Sequence, residues 1–289
     1  MKRLNFAHYL MITPVQLLLV CFLFAPALYV FYLSLTNYSY GTETSFVGLA
    51  NYQRVLSDPI FWQAAINTFI LVNVVVAAEL ALGLGLAVLM AGWVPAKRVV
   101  VSLLLVPYAI TEVTAVVMWR FMLEPDVGMI NWGLQQMLGF QIDWATDRWQ
   151  ALFVIALLSI WLTLPFTFLI LYSAVTTVSR DLMEASRIDG GNRWQTFWYV
   201  TLPTITPAVL VAVMFRYIFA MRLFSEVWLF TQGGPANLTE VLATYLYRNG
   251  FRYQDFGLAS ASGWIMIALS MVLASYYLYQ LYRQLFRNA

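Results

Sequence analysis

Six charged side chains stand inside stretches otherwise apolar enough to cross a bilayer: Glu79, Glu112, Arg120, Arg216, Arg222 and Glu226. A charge at the bilayer centre costs at least ~2.5–3.5 kcal/mol on insertion scales, so each must meet a partner or a water-filled path. Arg222 and Glu226 are four residues apart, a spacing at which two charges on one helix neutralise each other. Arg120 lies near the end of its stretch and can snorkel, whereas Glu79 and Arg216 lie closer to the middle. Two readings stay open for these charges: ion pairs that fix a helical bundle, and the lining of a route for a hydrophilic solute. Asn73, Tyr217, Ser225 and Trp228 add polar groups and flat faces of the kind sugars bind. The candidate path residues are therefore Asn73, Glu79, Arg216, Tyr217, Arg222, Ser225, Glu226 and Trp228.

Little else in the chain could carry out a reaction. His8 is the sole histidine, and a His-based triad or His-ligated metal centre would have to be built around it alone. Cys21 stands by itself in an apolar run, which leaves no disulfide framework and no zinc site. No Gly-x-x-x-x-Gly-Lys-Ser/Thr segment exists to cradle ATP. Gly83-x-Gly85 lies within an apolar stretch and reads as close helix packing. No catalytic residue, metal ligand or cofactor is assigned to this chain.

Composition sets the solvent for these residues. Hydrophobic residues make up 62% of 289 positions, charged residues 10%, and the mean hydropathy is +0.73. A soluble chain carries roughly 25% charge. The net charge of +2 is too mild to point to nucleic acid. Apolar windows of about 20 residues fall at 14–35, 66–91, 99–123, 149–174, 207–230 and 259–281. They are continuous rather than alternating, which selects helices over a barrel. The expected fold is an all-α membrane protein of six transmembrane helices in a single domain spanning 1–289. The first stretch exceeds the apolar core of a signal peptide and is read as retained.

Lys2, Arg3, Lys97, Arg98, Arg180, Arg187, Arg193, Arg283 and Arg287 fall on one side of these spans. Arg54, Arg148, Arg248 and Arg252 fall on the other, amid most of the acidic loop residues. The bias places both termini and the loop 177–206 in the cytoplasm. Within that loop, Asp181-Leu-Met-Glu184 has capping-box spacing, with Asp181 as the cap. Gly190-Gly191 ends the first short helix, and Asn192-Arg-Trp-Gln195 starts a second with the same spacing. Leu202-Pro203 is expected to stop it, with Pro207 opening the fifth span. Glu184 reads either as part of the cap, within pairing reach of Arg187, or as a charge offered to another protein.

The segment Glu184-Ala-Ser186, Ile188-Asp-Gly-Gly191, Trp194, Phe197 and Leu202-Pro203 resembles the "EAA" signature of permease subunits of binding-protein-dependent ABC importers, in their carbohydrate branch of maltose and glycerol-phosphate permease type. Phe46-Val-Gly-Leu-Ala-Asn-Tyr52, Asp58-Pro59, Asn67-Thr68, Pro107, Gly128, Asn131, Thr231-Gln-Gly-Gly-Pro235 and Phe256-Gly257 extend the likeness along nearly the whole chain. One departure touches the path: Phe224 is followed by Ser225 and then Glu226, where the family often has an acidic residue or asparagine directly after the phenylalanine.

The resemblance implies a type I importer permease fold in the bacterial cytoplasmic membrane, with a cytoplasmic coupling helix. It implies that Glu184, Ala185, Asp189, Gly190, Gly191, Trp194, Phe197, Leu202 and Pro203 couple this subunit to cytoplasmic ATPase subunits, which would carry the ATP and Mg. Trp194, Phe197 and Leu202 would be apolar packing around the turn. The other implied partners are a second, homologous permease and an extracytoplasmic solute-binding protein. The cargo would be a sugar, polyol or sugar-phosphate. The rival readings are an ion-coupled secondary transporter and a passive six-helix facilitator; neither needs the double-helical insert.

Overall fold

The computed structural model describes residues 6–287, with side chains described over 13–284. Lys2 and Arg3, and the side chains of His8 and Arg287, lie outside that range. Among the described residues every regular element is helical, apart from isolated bridges at Thr36–Phe46 and Ser39–Asp255. Helix α1 (Phe6–Leu19) passes through a wide turn, Val20–Phe24, into α2 (Ala25–Ser34). Then come α3 (Ala50–Ser57), α4 (Pro59–Ala91), α5 (Lys97–Ala109), α6 (Glu112–Met122), α7 (Met129–Leu138) and α8 (Arg148–Thr176). The last part holds α9 (Arg180–Ile188), α10 (Arg193–Thr196), α11 (Leu202–Ala220), α12 (Ser225–Phe230), α13 (Leu242–Tyr247) and α14 (Phe256–Arg287). Among the described residues five helical stretches are long and apolar enough to cross a membrane, or six if the bent pair α5–α6 is one span.

Three boundaries depart from the sequence expectations, each for a local reason. The stretch 99–123 is not one rod: α5 and α6 meet at a 95° bend. Pro107 cannot donate to the helix ladder, Ile110 is extended, and the Thr111 side chain accepts from the Thr114 backbone to cap α6. The stretch 207–230 is also interrupted, because α11 ends at Ala220 and α12 begins at Ser225. Arg222 and Glu226 therefore do not share a helix, and they form no ion pair among the described residues. Leu202-Pro203, finally, stops nothing. Helix α10 continues through a wide turn, Phe197–Thr201, straight into α11, giving one helical stretch over Arg193–Ala220. The wide turn shifts the bonding pattern just where Pro203 lacks its donor, so the proline sits in the first turn of α11 and Pro207 lies inside it.

The chain divides into two compact units. One comprises residues up to Phe61 together with Tyr245–Ile267. Its organiser is Asn51, which is buried and donates to Ser34 O at 3.0 Å and Thr36 O at 2.7 Å. A side chain at Gly257 would strike the Thr36 carbonyl and the Asn51 amide, so the backbone passes there only without one. Arg54 pairs with Asp255 at 2.9 Å, and the Tyr245 hydroxyl donates to Asp58 at 2.7 Å. Burial, then the Asp58 carboxylate, push the Tyr245 phenol above its ordinary range.

The other unit comprises Trp62–Thr244 and the chain from Ala268. One core forms from α6, α8 and α12 around Val116, Ile155, Leu158, Val227 and Phe230. A second joins α4, α8 and α11 through Ala87, Phe168, Leu171, Ile205 and Ala212. Lipid tails are as apolar as these side chains, so close packing and polar pairing hold such contacts rather than expulsion of water. Gly83 permits one close approach: a Cβ there would sit 3.1 Å from Thr167 Cγ2. Gly85 has open space beside it, so the close-packing reading fits the first glycine only. Asn131 and Trp144 both donate to the Leu123 carbonyl, at 2.7 and 2.8 Å, and close the end of α6.

Candidate functional site

Both helix interruptions border one cavity of about 310 Å³. Glu112, the first residue of α6 after the bend, lines it. So do Arg222 and Glu226, on either side of the start of α12, and Ser159 and Thr163 on α8. Tyr108, Leu162, Phe219 and Leu223 supply the apolar part of the wall. A mixed lining of this kind binds by orientation: a few polar groups select, and the apolar surface excludes water.

Arg216 completes the wall, and its geometry is fixed from behind. Its Nε donates to Glu79 Oε2, and its Nη2 donates to Glu79 Oε1 at 2.8 Å and to Thr163 Oγ1 at 2.9 Å. Glu79 is fully buried and also accepts from the hydroxyls of Thr163 and Thr167. The bidentate fork suits a guanidinium facing a carboxylate. It resolves the first of the two open readings for this pair, because Glu79 and Arg216 tie α4 to α11 beside α8. It does not abolish the second, since Arg216 still lines the cavity. Arg222, by contrast, is exposed and holds no carboxylate within ion-pair distance among the described residues. Glu226 is buried, and its Oε2 has no hydrogen-bond partner among them.

The other candidate path residues lie elsewhere. Tyr217 donates to Asn73 Oδ1 at 2.8 Å and stacks on Tyr277, a polar contact among α4, α11 and α14 outside the cavity wall. Ser225 opens α12, and Trp228 stacks on Phe224; neither lines the cavity. Thr163, Ser159 and Tyr108 line it and escaped the sequence reading. Only Thr163 left a trace there: it recurs four residues before Thr167 on a span, which places two hydroxyls on one helix face.

The inner elbow consists of α9, a tight turn and α10. Ser179, not Asp181, caps α9 by accepting from the Asp181 backbone N–H. The missed signal was Ser179 itself, one residue before the helix starts; Asp181 instead lies in the first turn, where its charge favours the helix dipole. Asp189 ends the helix and Gly190 turns the chain with φ +83°. Asn192 and Gln195 form a full capping box, each bond 2.9 Å long. The hydroxyls of Ser186 and Thr196, 2.9 Å apart, tie the two helices together. Glu184 is exposed and makes no ion pair among the described residues, so neither the cap nor Arg187 uses it.

A groove of about 440 Å³ runs along this elbow past Ala185, Asp189, Gly190 and Gly191. Ile188 is 86% exposed, Trp194 68% and Tyr199 80%, so the elbow presents an apolar face outward. Phe197 and Leu202 are half-buried, while Pro203 is exposed. Trp194 is therefore largely surface, with ring contacts to Phe197 and Trp198.

Residues 53–288 match the family described as "Binding-protein-dependent transport system inner membrane component". The chain belongs to that family. Like other inner membrane components of this kind, it is a multi-pass membrane protein and the permease part of an ABC importer. A probable ABC transporter permease protein, y4oQ, from Sinorhizobium fredii is 34% identical over 93% of this chain and 88% of its own length. The trehalose/maltose transport system permease protein MalF of Thermococcus litoralis is 31% identical over 93% of this chain and 92% of its own. A solved chain from a bacterial alginate ABC transporter, crystallised with an alginate pentasaccharide-bound periplasmic protein, superposes with a TM-score of 0.84 at 20% identity. That likeness spans 94% of this chain and 93% of the other, and it shows the shared fold over that span.

Proposed function

We propose that this permease forms the membrane route for a sugar or sugar-like solute, and that cytoplasmic ATPase subunits drive it by gripping the α9–α10 elbow. Both termini and the elbow lie in the cytoplasm in this reading. A second permease, an extracytoplasmic binding protein, and ATP with Mg on the partner chains complete the importer. One observation carries the proposal. The second helix of the elbow, α10, belongs to the same helical stretch as Arg216 in the cavity wall, and α9, which offers Glu184, is tied to α10 by the contact of the Ser186 and Thr196 hydroxyls. Motion of the elbow is thereby delivered to the solute site as rigid-body motion. The relatives that carry a named solute handle carbohydrate: trehalose and maltose in one, sulfoquinovosyl glycerol in another.

The test is ATP-driven uptake by the reconstituted complex. Glu184→Ala and Gly190→Val should retain ATP hydrolysis while losing most solute accumulation, with membrane insertion unchanged. Gly190 has open space around it but a left-handed backbone, so valine strains the turn without a clash. Normal uptake in both variants would overturn the assignment of the elbow. Uptake that persists without hydrolysis would return the protein to the ion-coupled or passive class.

A further inference from the structure

We infer that Glu112 and Glu226 bind one proton between them, and that this shared proton latches α6 to α12 at the cavity and ties the transport cycle to pH. The latch stands on the contact between the two carboxyl groups; its link to the cycle rests on the ATP-driven reading above. Both residues line the cavity, and their side chains hydrogen-bond to each other. Two ionised carboxylates offer only acceptor oxygens, so no bond could form between them and their charges would repel. Contact therefore requires one proton, which makes an O–H···O⁻ bond of the strong, charge-assisted kind. Glu226 is buried, whereas Glu112 is exposed. Charge costs more away from water, so the proton sits on Glu226 and the negative charge on Glu112.

The neighbouring groups leave that proton in place. From α8 come the hydroxyls of Ser159 and Thr163, and Ser159 also hydrogen-bonds Glu226. From α5 comes the neutral phenol of Tyr108, and from α11 comes Arg216, already engaged by Glu79 of α4. Arg222, in the link before α12, is the remaining charged group on the wall. Among the described residues it forms no ion pair with either carboxyl. One proton on the pair leaves one negative charge in the wall alongside that guanidinium; full ionisation would leave two.

Position gives the proton a mechanical consequence. Glu112 opens α6 directly after the 95° bend, and Glu226 is the second residue of α12, after the break that follows Ala220. Towards the other end of the same two helices, Arg120 donates to Leu229 O at 3.0 Å. Val116 packs there into the core that holds Val227 and Phe230. Arginine keeps its charge throughout the ordinary pH range, so that end is joined by contacts that do not titrate. The cavity end is joined by one that does. Its proton leaves to water by way of the exposed Glu112; two carboxylates then stand side by side, and the cavity ends of the helices part.

The test is an EPR distance measurement on the assembled complex in lipid vesicles. Spin labels are placed at Val113 on α6 and Ser225 on α12, with Cys21 and any cysteines of the partner subunits replaced. The distance should lengthen as pH is raised from mildly acidic to mildly alkaline. Glu226→Gln keeps a donor in place at every pH, and Glu112→Gln both donates and accepts, so each should hold the acidic distance throughout. Two variants are used so that one unstable protein does not decide the result. ATP hydrolysis is followed over the same range. The rate of the natural complex relative to either variant should be near unity in acid and rise about two- to tenfold in alkali, the worth of one hydrogen bond. A distance that ignores pH in the natural complex overturns the latch, as does one that still follows pH in the variants. A moving distance with a constant ratio of rates overturns the link to the cycle. A complex that hydrolyses no ATP would fail the importer reading, while the distances would still decide the latch.

Discussion

At the scale of single residues, Glu79 and Arg216 show how a charge survives in a span. Removing one partner of a buried pair leaves an uncompensated ion and costs about 3–5 kcal/mol, whereas replacing both by apolar residues is often neutral. Glu79→Leu should therefore lower the thermal unfolding temperature of the purified complex sharply. Adding Arg216→Met should recover most of the loss, although the cavity wall then lacks its donors. A double variant no more stable than the single one would show that the pair does not hold α4 to α11. Tyr245 gives a pH-dependent counterpart. Its phenol is held above its ordinary value of about 10 by burial and by Asp58. The folded state then binds the proton more tightly than the unfolded state. That stability is fully present below about pH 10 and is lost as pH rises towards the folded value. Stability to unfolding, followed from pH 9 to 12, should fall more steeply for the natural protein than for Tyr245→Phe.

At the scale of helices, caps and breaks decide what the apolar stretches cannot. Ser179→Ala should cost α9 about 0.5–2 kcal/mol, because the serine satisfies a free backbone donor. Asp181→Ala removes only a first-turn charge and should cost about 0.3–1 kcal/mol. Hydrogen exchange at the start of α9 would rank the two; equal effects would count against Ser179 as the cap. These helices also show what could be read from the chain alone. Hydropathy located each apolar stretch because lipid imposes length and composition directly. It could not see the bend after Ala109 or the gap after Ala220, since a window of about 20 residues averages Thr111, Glu112, Arg222 and Glu226 into an apolar whole. Asn192 with Gln195 was legible as a cap because its spacing is local. Pro203 was misleading for the same reason: its effect depends on a wide turn that no residue type announces.

At the scale of the whole molecule, the cavity wall is drawn from α5, α6, α8, α11 and α12, residues more than a hundred positions apart in sequence. That is why Arg216, Arg222 and Glu226 were legible as intramembrane charges, while Ser159, Thr163 and Tyr108 were not. Small hydroxyls in a span are ordinary until a neighbouring helix turns them into a wall. Sidedness is testable at the same scale. With Cys21→Ser as background, a cysteine at Arg187 should react with a membrane-impermeant maleimide only in inside-out vesicles. One at Thr44 should react only in intact spheroplasts. The opposite pattern would invert the topology proposed for the elbow.

The unbroken helix from Arg193 to Ala220 has a mechanical corollary. About twenty residues separate Thr196 from Arg216, or ~30 Å of shaft at ~1.5 Å per residue. Were the shaft to pivot at its inner end, a swing of ~10° would carry the guanidinium through about 5 Å, far enough to break hydrogen bonds made with a cargo. Grip and release would then be opposite ends of one lever, with no intermediate linkage to wear, loosen or mistime the stroke.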